Sequence, residues 1–291
     1  FSIEFSIKPV AVLRFMYFHD IPIVLAARGE FSAGALALKK VKKKAFIWLS
    51  EKIDLHRKVM WHASTLLEKK DIMLVKNVST ESILIAKNLP TPISKIKGFP
   101  GSNTERKERV LRIIFLSRIS PKKNLDYALN ILKKIKSKVV FDIFGPIESS
   151  TYWNLCLKVI NKMPINVTVN YCGSIDPDEV GGIFSSYDLF FFPTLGENYG
   201  HVIAESLSVG TQVLISDQTP WRGLEKDNLG WDLPLSDTQK FSCTIESLSE
   251  QLKFKSDNSR KEIANAAYGR IFNSKDISDN KSLFLHAVAS N

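Results

Sequence analysis

Short apolar runs alternate with amphipathic helical patterns after residue 110, and this alternation limits the fold more than any other feature of the chain. Bounded by Gly, Pro or polar residues, the runs predict five buried strands: Ile113–Leu116, Val139–Phe144, Val167–Cys172, Leu189–Phe192 and Val213–Ser216. The patterns between them predict three helices: Leu125–Ile135, Tyr152–Asn161 and Val180–Ser186. From Ser236 onward the chain shows only helical patterns. Strands that alternate with helices are joined by right-handed crossovers, so the expected class is α/β with a parallel, doubly wound sheet.

The first part of the chain carries a weaker form of the same alternation. Apolar runs predict three strands there: Ile21–Ala26, Val59–His62 and Ile72–Val75. Ser32 is a predicted N-cap for a long helix that reaches Leu49, and Ser64 is a predicted N-cap for a helix over Leu66–Lys70.

Five Pro and Gly residues fall between Pro90 and Gly101, in a polar stretch that ends in charged residues at Arg109. This composition is typical of a linker, so we place the domain boundary there. The predicted organisation is a first domain with linker over residues 1–109, a second domain over 110–272, and a C-terminal helix over 273–291 that returns to the first domain.

The net charge of +10 lies wholly in the first part of the chain. Residues 1–109 contain 20 Lys and Arg against 10 Asp and Glu, whereas residues 110–291 contain 20 of each. The excess is concentrated in Lys39, Lys40, Lys42, Lys43 and Lys44. Such a cluster indicates an anionic partner, which can be a membrane surface, a nucleic acid or an acidic substrate, or else it is simply a solvated helix face. The aromatic residues show no basic interleaving, which argues against nucleic acid.

The stretch from Asp188 to Leu207 combines a buried strand, a loop broken by Pro193 and Gly196, and a helical pattern that begins at Gly200. Open α/β sheets bind ligands at the carboxyl ends of their strands, so this loop is a candidate site. It contains Glu197, and Glu205 follows on the helix. The two carboxylates can act as a general acid and base, or accept hydrogen bonds from ligand hydroxyls, or lie in a turn and on an exposed helix face.

Arg118 and Lys123 lie between a predicted strand and the next helix. A guanidinium can bind phosphate through two hydrogen bonds, an ammonium adds a point charge, and a helix N-terminus adds backbone N–H donors. A surface turn with solvated charges is the alternative.

No residue pattern predicts a metal site. Asp176 and Asp178 flank Pro177 directly before a helical pattern, and a helix-capping turn explains them better than a divalent ion does. The five histidines have no zinc-ligand spacing. His62 ends a strand and can be a satisfied interior residue, while His201 is expected to face the same crevice as Glu197. Three widely spaced cysteines cannot form an even disulfide set, which favours a reducing cytoplasm.

Taken together, these motifs resemble the retaining glycosyltransferases of the GT-B fold, family 4. Glu197 and Glu205 match the family's E-x7-E signature, and Arg118 and Lys123 have the spacing of its diphosphate-binding pair. The segments FDIFGP, NYCG and ISDQTPW resemble its donor domain. AARGEFSAGALALK, KKKAF and WHAST resemble the acceptor domain of bacterial members that build surface polysaccharides.

The resemblance implies a role for each donor-side residue. Arg118 and Lys123 would bind the leaving diphosphate of a UDP- or GDP-linked sugar, and Glu197 would hold hydroxyls of the transferred sugar. The backbone of Asn198, Tyr199, Gly200 and His201 would supply N–H donors, Glu205 would bind the ribose, and Gly145 and Gly173 would lie near the base. No cofactor or metal is expected. The resemblance thus implies two Rossmann-like domains that face a cleft, with the first domain incomplete at its N-terminus.

On the acceptor side the same resemblance implicates Arg28, Glu30 and His62, which lie in the matching segments. The expected activity is transfer of a sugar with retention to a lipid-linked or polysaccharide acceptor, by a cytoplasmic protein peripheral to the inner face of the cell membrane. The alternative function is a truncated, non-catalytic nucleotide-binding module or partner subunit.

Overall fold

A computed structural model describes residues 7–15, 23–31, 36, 40–57, 59–87, 110–252, 258–271 and 274–289. The chain divides into two compact units, one of residues 1–89 with 273–291 and one of residues 90–272. The predicted N-cap Ser32 and the predicted linker after Pro90 lie outside the described residues.

The first unit contains a small parallel sheet with strand order β1-β2-β3. Its elements in chain order are α1 (Lys8–Phe15), β1 (Ile23–Ala26), α2 (Lys40–Lys52), β2 (Val59–Ala63), α3 (Leu66–Lys76) and β3 (Ile83–Ile85). Trp61, Phe31 and Ile72 are almost fully buried and form the centre of its core. The basic stretch around Lys43 lies on α2, and so the lysine cluster is largely helical.

Two predictions for the first unit were wrong. Ile72–Val75 is not a strand but part of α3, because only every third or fourth side chain of this run turns inward: Ile72 is fully buried and Leu74 is 84% exposed. The N-cap of α3 is Thr65 rather than Ser64, since the Thr65 hydroxyl accepts from the Glu68 N–H at 3.1 Å.

The second unit contains a six-stranded sheet with order β6-β5-β4-β7-β8-β9, and every described strand pair is parallel. Its strands are β4 (Leu111–Leu116), β5 (Val139–Phe144), β6 (Val167–Gly173), β7 (Leu189–Phe192), β8 (Gln212–Ser216) and β9 (Gly230–Leu233). Its helices are α4 (Leu125–Leu132), α5 (Ser150–Ile160), α6 (Val180–Phe184), α7 (His201–Ser208), α8 (Thr238–Gln251) and α9 (Asn258–Ile271).

The central strands of this sheet are buried on both faces. All four residues of β7 and all five of β8 are buried, as expected of a parallel sheet covered by helices on both sides. The five strands predicted for this part of the chain are all present. The sequence did not predict β9, which is short and includes the polar Asp232.

The last described helix, α10 (Ser274–Ala289), belongs to the first unit. The side-chain amide of Asn280 donates to the Lys87 carbonyl at 2.9 Å, and the Phe284 ring lies 5.3 Å from the His62 ring in an edge-on arrangement. These contacts attach α10 to β2 and to the segment that follows β3.

Candidate functional site

The candidate site is the carboxyl edge of the six-stranded sheet, where the chain order of the strands reverses. From β4 the chain continues to β5 on one side, while β7 pairs with β4 on the other. Loops that leave two such strands diverge, and ligands of open α/β proteins bind in the crevice between them. We call Ser117–Asn124 the β4 loop and Thr194–Gly200 the β7 loop.

Apart from the Lys123–Glu197 ion pair described below, three hydrogen bonds join the β4 loop to Pro193 and to the start of the β7 loop. The Asn124 amide donates to the Pro193 carbonyl at 2.9 Å, and the Lys122 carbonyl accepts from the Leu195 N–H at 2.9 Å and the Thr194 hydroxyl at 3.1 Å. Asn124 can make its bond because it adopts a left-handed conformation (φ 61°) at the start of α4, which asparagine tolerates better than most residues. The β4 loop is therefore fixed to the β7 loop at its C-terminal end.

Lys123 and Glu197 form an ion pair at this junction. The Lys123 ammonium donates to Glu197 Oε1 in a short hydrogen bond. The Thr194 hydroxyl lies 3.1 Å from the same oxygen and shares its single hydrogen between it and the Lys122 carbonyl. The two charged side chains are only 12% and 14% exposed. The ammonium also lies 5.4 Å from the centre of the Phe192 ring. The structure thus brings together one predicted phosphate-binding residue and one predicted sugar-binding residue.

Arg118 lies at the opposite end of the β4 loop and pairs with Glu148, a residue that the sequence analysis did not single out. The guanidinium donates to Glu148 Oε1 at 2.9 Å, and both side chains are well exposed, at 63% and 47%. Backbone bonds between Ile119 and the segment after β5 hold the two residues together: Ile119 N–H donates to the Pro146 carbonyl and Glu148 N–H to the Ile119 carbonyl.

Gly145 permits this close approach of the segments that follow β4 and β5. Its φ is 129°, and a Cβ added there would lie 2.0 Å from the Ser117 carbonyl oxygen. Any other residue would push the β4 loop away. Gly173, at the end of β6, has a φ of 78°, and its carbonyl accepts the Gly145 N–H at 2.8 Å.

Gly200 is the N-cap of the helix after the β7 loop, and its φ of 81° gives it the left-handed conformation that favours glycine. His201 is the first residue of α7 and is exposed, with its ring 4.7 Å from that of Tyr199. Glu205 lies in the second turn of α7, half-buried, and burial raises the pKa of its carboxyl above the ordinary value of 4.5.

The acids around Pro177 lie on an exposed 3₁₀ turn, Pro177–Glu179, directly before α6. Asp176 occupies the N-cap position, and Pro177 follows it in the first turn. Within the described residues there is no group of three or more His, Cys, Asp or Glu side chains with a geometry that could hold a metal ion.

In the first unit, the three predicted acceptor-side residues lie in two separate places. Arg28 is exposed, with a left-handed φ of 48°, in the turn after β1, and Glu30 in the same turn accepts from Lys43 at 2.8 Å. His62 lies on β2, and its Nε2 is 2.7 Å from the Ala86 carbonyl oxygen. Glu68 was not predicted as a site residue. Its buried carboxylate accepts from the Gly29 N–H at 2.5 Å and the Ser64 N–H at 2.7 Å.

Several residues that build the site carried little sequence signal. Glu148 lies 30 residues along the chain from Arg118, and Thr194 lies 72 residues from the Lys122 carbonyl that it contacts. The only available signal was positional, because both residues follow a predicted strand.

Solved structures identify the class of this fold. WaaG, "a glycosyltransferase involved in lipopolysaccharide biosynthesis", aligns with a TM-score of 0.65 and 16% identity over 92% of this chain and 75% of its own. Anabaena HepE, solved in complex with UDP-glucose, aligns with a TM-score of 0.65 and 15% identity over 93% and 72%. S. aureus TarM, solved with UDP among its ligands, aligns with a TM-score of 0.56 and 14% identity over 78% and 43%. The predicted α/β fold of the GT-B type is confirmed.

The family follows from the sequence of the second unit. The family model described as glycosyl transferases group 1 matches residues 102–270, which include the whole candidate site. The chain belongs to this family, and its resemblance to glycosyltransferases is confirmed. This chain spans 43% of the length of TarM and 72% of that of HepE. A comparison with curated proteins gave no significant match.

Proposed function

We propose that the protein transfers a sugar from a UDP- or GDP-linked donor to a lipid-linked or polysaccharide acceptor, with retention and without a metal ion. The observation that carries this proposal is the meeting of Lys123 and Glu197 at the switch point of the sheet, within the segment that matches the family. In this proposal the second unit binds the donor and the first unit binds the acceptor.

The donor-side residues divide the work by charge. Arg118 and Lys123 would neutralise the leaving diphosphate, because charge that develops on departing oxygens is stabilised best by cations already in place. Glu197 would hold the sugar hydroxyls, together with backbone N–H groups from Asn198 to His201, while the sugar passes through an oxocarbenium-like state. Glu205 would accept hydrogen bonds from the ribose, with the base near Gly145 and Gly173.

A transfer assay with UDP- and GDP-sugars tests this assignment. We expect Arg118→Ala and Glu197→Ala to reduce transfer strongly, whereas Asp178→Ala on the exposed turn before α6 leaves it unchanged. Transfer that resists EDTA would agree with a metal-independent reaction, and transfer that EDTA abolishes would contradict it. Unchanged transfer in the first two variants would refute the site. Nucleotide binding without transfer, in the presence of acceptor, would favour the non-catalytic alternative.

We also propose that α2 docks on the anionic inner face of the cell membrane. None of the described helices is both long and apolar enough to cross a bilayer. On α2, however, Val41 is 81% exposed and Trp48 58% exposed, and the Lys52 ammonium lies 4.5 Å from the Trp48 ring. Exposed apolar groups among lysines suit a headgroup interface, where each basic residue adds about 1 kcal/mol of binding.

Vesicle co-sedimentation tests the docking of α2. Binding to vesicles of phosphatidylserine and phosphatidylcholine should weaken as salt increases, since screening acts on the charge component. Trp48→Ala with Lys44→Ala should reduce binding more than Lys240→Ala, a lysine change on α8 of the second unit. Binding that is insensitive to salt, or absent, would contradict the membrane proposal.

A further inference from the structure

The segment Ser216–Trp221 begins with the last residue of β8, and we call it the β8 loop. It contacts the β7 loop at three successive points. The Ser216 hydroxyl donates to the Thr194 carbonyl at 2.5 Å, the Gln218 carbonyl accepts the Glu197 N–H at 3.1 Å, and the Trp221 indole N–H donates to the Tyr199 carbonyl at 2.6 Å. These bonds are spaced along the β7 loop from its first residue to the last residue before Gly200. The β8 loop therefore lies along almost the whole length of the segment that carries Glu197.

Trp221 is itself held firmly in this arrangement. Its side chain is buried, and its backbone N–H donates to the Thr219 hydroxyl at 3.2 Å. Its ring meets the Tyr199 ring edge-on, with centroids 5.8 Å apart. A Cβ added to Gly200 would lie 3.5 Å from the indole nitrogen and 2.8 Å from Ile203 Cδ1. Trp221 therefore packs against a position that only a glycine fills easily.

The bond to the Tyr199 carbonyl matters because the β7 loop has no helix or strand to hold its backbone. Between Pro193 and Gly200 this loop forms neither helix nor strand. A loop without such structure keeps one conformation only when other groups bind its backbone. Donors that stabilise a reacting sugar work best when they are fixed before the reaction, and a displacement of about 1 Å can cost on the order of 100-fold in rate.

We propose that Trp221 is a positioning residue, which orients the β7 loop so that Glu197 and the backbone N–H groups after it meet the transferred sugar. The inference rests on the proposed function and deepens it. Trp221 acts through the Tyr199 carbonyl and does not itself contact the reacting atoms. Its loss should therefore impair transfer of the sugar more than binding of the nucleotide.

Trp221→Phe is the sharpest test, because it keeps an aromatic ring while it removes the N–H donor; the loss of the second ring is shared by the control below. We expect kcat/KM for the nucleotide-sugar to fall about tenfold or more, while the Kd for UDP or GDP, whichever binds the wild type, changes less than about twofold. Trp231→Phe, a partly buried tryptophan on β9 of the same unit, is the matched control and should leave both values unchanged. Equal losses in transfer and nucleotide affinity would contradict the proposal.

Hydrogen exchange separates this inference from the function on which it rests. Trp221→Phe should speed exchange of the amides from Leu195 to His201 severalfold, and leave the amides of β4 and β5 unchanged. If exchange is faster in Trp221→Phe but the wild type has no transfer activity, the proposed function is refuted and the Trp221–Tyr199 contact is only structural. Unchanged exchange in a protein that binds nucleotide would refute the positioning role alone.

Ser216→Ala provides a second route if Trp221→Phe does not fold. This change removes the bond to the Thr194 carbonyl at the other end of the β7 loop and is small enough for a fully buried site. It should shift transfer and exchange in the same direction as Trp221→Phe, by a smaller factor. Transfer and exchange that both match the wild type would overturn the proposal.

Discussion

The two ends of the β4 loop each carry a cation paired with a carboxylate, and the two pairs differ in burial and in the hydrogen bonds that support them. Lys123 and Glu197 are largely buried, and Thr194 supports their contact with a further hydrogen bond. Arg118 and Glu148 are solvated, with no other contact described for either side chain. A buried pair is costly to break, whereas an exposed pair contributes about 0–1 kcal/mol.

This difference assigns the two cations different duties. In the proposed function, Lys123 stays in its contact with Glu197 when the donor binds, whereas Arg118 exchanges Glu148 for a phosphate at little cost. Arginine is the better residue for that exchange, because its planar group binds phosphate through two hydrogen bonds. The comparison predicts that changes at the buried pair affect both stability and transfer, and that changes at the exposed pair affect ligand binding and transfer without affecting stability.

Glu197→Ala should have the largest effect. Without its partner, the Lys123 ammonium remains mostly buried and uncompensated, so the free energy of unfolding should fall by about 2–3 kcal/mol. Transfer should fall at least about 100-fold, since the sugar also loses its carboxylate. Chemical denaturation and a transfer assay measure the two losses. A free energy of unfolding within about 0.5 kcal/mol of the wild type would show that the Lys123–Glu197 pair does not stabilise the fold.

Arg118→Ala should separate binding from stability. The exposed pair adds little to folding, so the midpoint of denaturation should stay the same, while the affinity for UDP or GDP falls about tenfold or more. Arg118→Lys keeps the charge without the planar group, so its nucleotide affinity should lie between those of the wild type and Arg118→Ala. A loss of stability as large as that of Glu197→Ala would erase the contrast between the pairs.

Glu205 extends the comparison to a carboxylate for which the structure describes no ion pair. Burial raises its pKa above 4.5, so the native state binds this proton more tightly than the unfolded state does. Stability is then lost as the pH rises above about 4.5. Glu205→Gln should therefore be more stable than the wild type at pH 7.5, and the difference in the free energy of unfolding should close toward pH 4.5. A gap that is independent of pH would contradict the raised pKa.

Glu148→Gln should have the smallest effect, and it should raise nucleotide affinity rather than lower it. The change removes a carboxylate that competes with phosphate for Arg118, so nucleotide affinity should rise about two- to threefold at low salt. The gain should shrink as salt increases, because both side chains are exposed. A fall in affinity would mean that Glu148 helps to place the guanidinium.

The sequence predicted the second unit better than the first for a physical reason. Strands such as β7 and β8 are apolar on both faces, so a continuous run identifies them. In the first unit, Ile72–Val75 is an equally apolar run on a helix whose outer face is exposed, and β3 lies at Ile83–Ile85 instead. Periodicity alone cannot separate these two cases in so short a run.

For the site, the sequence singled out Arg118, Lys123 and Glu197 but did not predict which carboxylate each cation contacts. Arg118 and Lys123 stand out because they follow a strand, and Glu197 because it lies in a loop before a helix. Glu148, Thr194 and Trp221 act through contacts set by strand order. That β4 lies between β5 and β7 is a property of the folded sheet, and local pattern does not encode it.

The most direct test of the central claim, that this edge of the sheet holds the diphosphate of a nucleotide, is calorimetric titration of the full chain with UDP and with GDP at two salt concentrations. The account predicts saturable binding of at least one nucleotide that weakens with salt and loses about tenfold in affinity in Arg118→Ala, while Asp178→Ala binds as the wild type does. Binding that is equally strong in both variants would contradict it, as would the absence of binding in the wild type.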